Sequence, residues 1–397
     1  MKITDVEGIM VRLPEVRMIG DGCQTILIIK VHTDSGITGI GEAHSNPLVS
    51  KAVLDAPLCS VSSTGLRDLL VGQDPRNIDK LYDLMTKRSV TYRRRGAVMH
   101  VISGIEIALW DILGKAMGEP IHRLLGGARR NEIAAYASDL APETPAGAVA
   151  LAERHAAAGY KAVKLGWGGL GNDRKADARM MGEIRRAVGP DIDLMLDMGF
   201  PVPLDDAIWL GRALAEHDVF FLEEPLSPDD VAGFARLTAV SPTPIATGEK
   251  ETTQYPYIDL MDRGGLRIIQ PDVARVGGIS ETLRIATHAE ARGVRIIPHC
   301  WSTDILVAAT LQVIATLREC PYLEFNVMDN PLRTQLMKSR YVRTTESYAF
   351  PKSRVLESSS MRRRSRSTVG LDDRNASVPF VFWIRLATAR VDSTAAL

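Results

Sequence analysis

Short apolar runs, most of them closed by an acidic residue or a histidine, recur along the middle of the chain at a spacing of one strand plus one helix. Asp197 ends IDLMLD, Glu223 lies in VFFLEE and Glu249 ends PIATGE, at intervals of 26 and 26 residues. Asp272 ends RIIQPD, His299 ends VRIIPH and Glu324 lies in YLEF, at further intervals of 23, 27 and 25. Apolar runs of this length predict buried parallel strands, and the amphipathic stretches between them, such as 146–158 and 176–188, predict helices. IAAYAS (133–138) and KAVKLG (161–166) precede them and bring the strands to eight. The expected architecture is α/β, a TIM-type (β/α) barrel whose strand ends gather around one mouth. Ahead of it, ILIIKVH (26–32) and ITGIGE (37–42) flank Asp34-Ser35-Gly36 and predict a hairpin, while 98–117 carries helical spacing. The expected division is an N-terminal α+β capping domain over 1–126, a barrel catalytic domain over 127–338 and an atypical tail over 339–397.

Composition narrows the class. The 397 residues carry 48 basic and 48 acidic side chains, so net charge gives no reason to expect a nucleic-acid or membrane partner. The N-terminus lacks the apolar core of a signal peptide, and no apolar run approaches 18 residues. Four cysteines without close pairing or metal-ligand spacing fit a reducing compartment. A cytoplasmic enzyme acting on a small molecule is expected.

The strand-end residues carry the chemistry. Hard divalent cations prefer carboxylate oxygens, and Asp197, Glu223 and Glu249 supply three with no cysteine or histidine among them to favour zinc. One acidic strand end reads equally well as a helix cap; three in register read as a metal site. His299 differs from the other histidines because Asp272 ends the neighbouring strand, and a carboxylate beside an imidazole fixes its tautomer and raises its basicity.

Together with Lys164, these residues and phrases such as IALWDILGKAMGEPIHRLLGG (107–127) and PDVARVGGISE (271–281) resemble the mandelate racemase subgroup of the enolase superfamily, from residue 1 to about 338. The resemblance implies Mg²⁺ on Asp197, Glu223 and Glu249, chelating a substrate carboxylate. It implies His299 as the base that exchanges the neighbouring proton, Glu324 as a hydrogen-bond partner of the resulting enediolate, and Ser138 as a substrate contact. Specificity in the family comes from loops of the smaller domain, here about 18–25 and 44–56, which makes His44 and Arg17 candidate contacts. Trp167 and Trp301, just past strand ends, read either as pocket walls or as packing. Relatives commonly form even-numbered homo-oligomers.

One departure selects among activities. The family pattern Lys-x-Lys reads Lys164-Leu165-Gly166 here, so the second lysine is absent. Racemisation needs an acid/base group on both faces of the enediolate, whereas dehydration manages with His299 alone. The expected function is dehydration of an acid sugar, an aldonate or aldarate, to a 2-keto-3-deoxy acid. A racemase or epimerase, a lactone cycloisomerase and a non-catalytic sugar-acid binder remain open, as does a role for Lys164 either as the missing base or in holding the carboxylate. Tyr92-Arg93-Arg94-Arg95 reads as a solvated charged face or an anion contact.

The tail does not fit the rest. From Arg340 onward 11 basic residues face 5 acidic ones, against 37 and 43 before it, and it contains Met361-Arg362-Arg363-Arg364-Ser365-Arg366. The family ends with a Gly-Leu-Gly-hydrophobic-Glu-Leu-Asp stretch, and codon degeneracy lets a neighbouring frame of 355–369 encode something close to GLGIELDEEALAKYG. The expectation is a frameshift near 339–347, with a basic interaction tail as the alternative.

Overall fold

The structure is a computed structural model describing residues 1–334, Leu336 and Tyr348–Ala349. The rest of the tail singled out above lies outside the described residues. Three antiparallel strands, β1 (Ile3–Arg12), β2 (Thr25–Thr33) and β3 (Thr38–Ala43), form the sheet of the capping region in the order β1-β2-β3. The hairpin is the one expected; β1 was not, because ITDVEGIMVR alternates without a dense apolar run. The helix Ala97–Met117 lies on this sheet and ends at Gly118, whose left-handed φ of 67° lets its N–H reach the Gly114 carbonyl. By length and composition that helix is apolar enough to cross a bilayer, yet 78% of its most apolar window is buried inside the protein. It is the core of the cap.

Helix and sheet approach so closely that side chains are excluded. A Cβ on Gly41 would fall on the Gly104 carbonyl oxygen, and one on Gly39 would fall on that of Ala108.

A short strand β4 (Glu132–Ile133) leads into eight parallel strands: β5 (Ala135–Leu140), β6 (Ala162–Gly166), β7 (Asp193–Asp197), β8 (Val219–Glu223), β9 (Ile245–Thr247), β10 (Ile268–Ile269), β11 (Arg295–Ile296) and β12 (Leu323–Asn326). β12 pairs with β5, so the last strand returns beside the first and curls the sheet into the expected barrel. The seam between β11 and β12 is bridged by the Cys300 N–H, which donates to Glu324 Oε2 at 2.7 Å. β13 (Tyr348–Ala349) pairs antiparallel with β4.

The period of two along each strand then sets the site. Tyr136, Ala162, Met195, Phe221, Ala246, Ile268 and Ile297 make one apolar layer inside the barrel. Two residues further on, toward the mouth, Ser138, Lys164, Asp197 and Glu223 face the same interior. Cap and barrel join through Ile26, Ile28 and Ile40 packed on Ile305 and Ala308.

Gly41→Ala should destabilise the protein by about 1–3 kcal/mol through overpacking. Urea unfolding reads this, and an unchanged midpoint would contradict the close approach described.

Candidate active site

Carboxylates crowd the barrel mouth. Asp197 and Glu223 are register partners on β7 and β8, and Glu249 lies just past β9. All three are nearly or fully buried, as are Glu224, Asp272 and Glu324. Lys164 stands among them: its ammonium lies 2.8 Å from Glu223 Oε2, 2.7 Å from Glu324 Oε1 and 3.8 Å from Asp197 Oδ2. One ammonium does not compensate so much buried anion. Burial pushes Asp197 up to about 7 and Glu223 up to about 8, against the lowering effect of Lys164. Glu223 Oε1 is buried without any hydrogen-bond partner. Clustered oxygen donors, raised carboxyls and an orphaned oxygen suit a hard divalent cation.

The structure brings His299 and Asp272 together. His299 Nδ1 pairs with Asp272 Oδ2 at 2.7 Å, and its Nε2 lies 2.8 Å from Glu249 Oε2. Against the cost of burial, Glu249 and Glu324 hold the imidazole well above its ordinary range. His44, from the end of β3, reaches the same carboxylate oxygen through Nδ1 at 3.1 Å and stacks on His299 with centroids 6.0 Å apart. Arg275 Nη2 donates to His44 Nε2 at 3.2 Å, which leaves Nδ1 carrying the proton given to Asp272. Burial and Arg275 push His44 down to about 4, so it is neutral. Glu324 accepts from Lys164, from Ser138 Oγ at 2.8 Å and from the Cys300 N–H; burial is outweighed by Lys164, and the carboxyl lies below its usual range.

Of the residues singled out in the sequence, Ser138, Lys164, Trp167, Asp197, Glu249, His299, Glu324 and His44 line one cavity of about 310 Å³. Glu223 and Asp272 stand just behind its wall. Arg17 is the exception: it is exposed and does not line the cavity, because its backbone is tied at both N–H and carbonyl to the Gln24 amide. Sequence reasoning missed Arg275, Lys250 and Glu224. Lys250 pairs with Glu224 and lies 5.8 Å over the Trp167 ring. Each sits one to three residues from a strand-end acid, which was the available signal.

Gly166 explains itself in the structure. A Cβ there would lie 2.8 Å from Asp197 Oδ2, so any side chain would have to displace that carboxylate. Trp167 adopts a left-handed φ of 63° and is clamped between Gly20 and Gly199, where added Cβ atoms would lie 2.9 Å and 2.7 Å from it.

A capped barrel with acids on successive strand ends and a His–Asp pair opposite is an enolase-type enzyme architecture. The chain belongs to the mandelate racemase/muconate lactonizing enzyme family: residues 8–126 match its N-terminal domain, and residues 147–354 match the enolase C-terminal domain-like family. It is 33% identical over 325 residues to the D-galactarolactone cycloisomerase of Agrobacterium fabrum, covering 79% of this chain and 82% of that one. It is 36% identical over 293 residues to the D-galactonate dehydratase of Ralstonia nicotianae, covering 72% and 74%. The crystal structure of the 3,6-anhydro-D-galactonate cycloisomerase from Zobellia galactanivorans superposes with a TM-score of 0.79 at 31% identity, covering 88% of this chain and 94% of that one.

Proposed function

We propose that the protein dehydrates an acid sugar to a 2-keto-3-deoxy acid. The observation that carries this reading is the asymmetry of the cavity: an imidazole–carboxylate pair on one side and Gly166, closed off by Asp197, on the other. Asp197, Glu223 and Glu249 would hold Mg²⁺, which when bound offsets the second negative charge that appears on the substrate carboxylate. Glu249, now 2.8 Å from His299 Nε2, would serve the cation instead, and His299 Nε2 is the atom placed to take the proton from the carbon beside that carboxylate. Asp272 holds Nδ1 and supports the imidazolium. Lys164 is the nearest donor to the growing oxyanion, while Glu324, with acceptors already engaged, positions Lys164. His299 then returns the proton to the β-hydroxyl as its C–O bond breaks. Water leaves, and the enol tautomerises to the 2-keto acid; no oxidant is needed.

A second reading, lactone cycloisomerisation, is supported by the relatives bearing that name and begins with the same base. A cytoplasmic setting is supported by four free cysteines, three of them buried. A homo-oligomer is supported by exposed Leu48, Val49, Leu58 and Val61 on the cap, and sedimentation would read it.

Purified protein should form 2-keto acid from aldonates or aldarates with Mg²⁺, lose activity in EDTA, and lose about 10²–10⁴-fold with His299→Asn. 2-Keto acid formed from lactones or anhydro sugar acids but not from open-chain aldonates or aldarates would favour the cycloisomerase; epimerised substrate alone would sink both. Because Asp197 and Glu223 are raised to about 7 and about 8, protons must leave before a dication binds. Mg²⁺ affinity should therefore rise with pH through 7 to 8, with proton release in calorimetry; affinity flat across that window would contradict the assignment.

We also propose that the tail is read out of frame, with the slip later than 339–347. β13 still pairs with β4, and the family match runs to residue 354. One added cytosine ahead of the Arg354 codon allows 354–368 to be re-read as PGLGVELDEEALAKY using only synonymous choices for the present residues. Reading the coding DNA tests this: codons that do not re-read so would remove the argument.

A further inference from the structure

The cavity has two unlike ends. One is the carboxylate pole of Asp197 and Glu249 with Lys164. The other is roofed by the loop at Ile19–Gly22 and walled by Leu140, Trp167 and Trp301. The charged group at that second end is Asp21, which is 7% exposed. Its Oδ1 accepts from the Cys23 N–H at 2.9 Å and from Trp301 Nε1 at 3.2 Å, and its Oδ2 accepts from Asn330 Nδ2 at 3.2 Å. Every one of those donors is neutral.

The cations lining the cavity are committed elsewhere. Lys164 is engaged by Glu223 and Glu324. Arg275 is shared between Glu249, at 3.5 Å, and Asp272, at 3.6 Å. Lys250, whose ammonium lies 5.8 Å over the Trp167 ring, is held there by Glu224 and by the Gly199 carbonyl, to which it donates at 3.1 Å. Arg17, the cation nearest in sequence to the roof, is exposed and outside the lining. Among the described residues of the cavity, none offers a second carboxylate a partner at the Asp21 end. An unpaired carboxylate there would lose its hydration and face a like charge. A polyhydroxy end has the opposite prospects: its hydroxyls can donate to Asp21, and its C–H faces can pack on the two indoles.

We propose that the pocket selects sugar acids bearing a single carboxylate, aldonates or lactones that keep one free carboxylate, and that Asp21 rejects a second carboxylate while accepting a hydroxyl. This rests on the reading that the substrate carboxylate binds at the Asp197–Glu249 pole. It goes beyond that reading by choosing between its two substrate classes and naming the residue that chooses.

The test uses matched aldonate and aldarate pairs of identical hydroxyl configuration, with Mg²⁺, on the full chain. The aldonate should be favoured in kcat/KM by about 10- to 100-fold. Asp21→Asn should narrow that ratio by improving the aldarate, and Leu140→Lys, which adds a cation to the far wall, should narrow it too. The second variant covers the case in which Asp21→Asn fails to fold, which a melting curve reveals. Equal handling of aldarates by the unaltered protein, or an unchanged ratio in folded variants, overturns the inference and leaves the dehydratase reading intact. If neither member of any pair reacts, the dehydratase reading fails. Calorimetric binding of the same pairs then decides the selection: tighter aldonate binding upholds it, and equal binding overturns it.

Discussion

The constraint on which this molecule turns is an excess of buried negative charge at one end of a barrel. Six carboxylates, Asp197, Glu223, Glu224, Glu249, Asp272 and Glu324, are nearly or fully withdrawn from water around one cavity. Isolated, such groups would protonate or unfold the site. Lys164, Lys250, Arg275 and His299 hold part of that charge in ionised form, and Asp197 and Glu223 are left raised. The remaining deficit is what a divalent cation would fill, so binding and folding stability become linked at this end of the protein.

The cap contributes to the same balance from above. Glu42 on β3 accepts from Ser302 and Thr303 beside the His299 loop, and His44 two residues later shares Asp272 with His299. Further back, Glu106 accepts the Ile279 and Ser280 N–H groups at 2.7 Å and 2.9 Å, closing the amino end of the helix Ile279–Glu290. Gly278, at a φ of 95°, leaves the room Glu106 needs. The cap is therefore bonded to the His299–Asp272 pair and to a barrel helix. A disturbance of its docking would reach His299 through His44.

Much of this was legible in the chain because barrel strands impose a period. Acids two residues beyond an apolar layer point into the mouth wherever the strand is regular, so Asp197 and Glu223 could be found by spacing alone. Strands β9, β10 and β11 have only two or three paired residues, yet their apolar runs announced them. What spacing does not contain is pairing between distant segments. Arg275 gains its place only because folding sets it against His44, 231 positions away. Arg17 failed for the converse reason: proximity to the right loop says nothing about which way a side chain turns when Gln24 fixes its backbone. Asp21 was marked only by its place in the 18–25 loop, because the neighbours that give its carboxylate significance come from Trp301 and Asn330.

The glycine at position 166 joins these threads. Register places it opposite Asp197, and the carboxylate fills the space a side chain would take. A lysine there would need Asp197 to move, and Asp197 is held by the Gly199 N–H at 2.9 Å, in a loop that also clamps Trp167. The absence of a side chain at 166 is thus coupled to the position of the Asp197 carboxylate and to the Trp167 wall of the cavity. A chain rebuilt to carry Lys-x-Lys would have to shift Asp197, the loop at Gly199 and the indole of Trp167 together. The missing side chain at 166, the placement of Asp197 and the seat of Trp167 therefore follow from the same local packing.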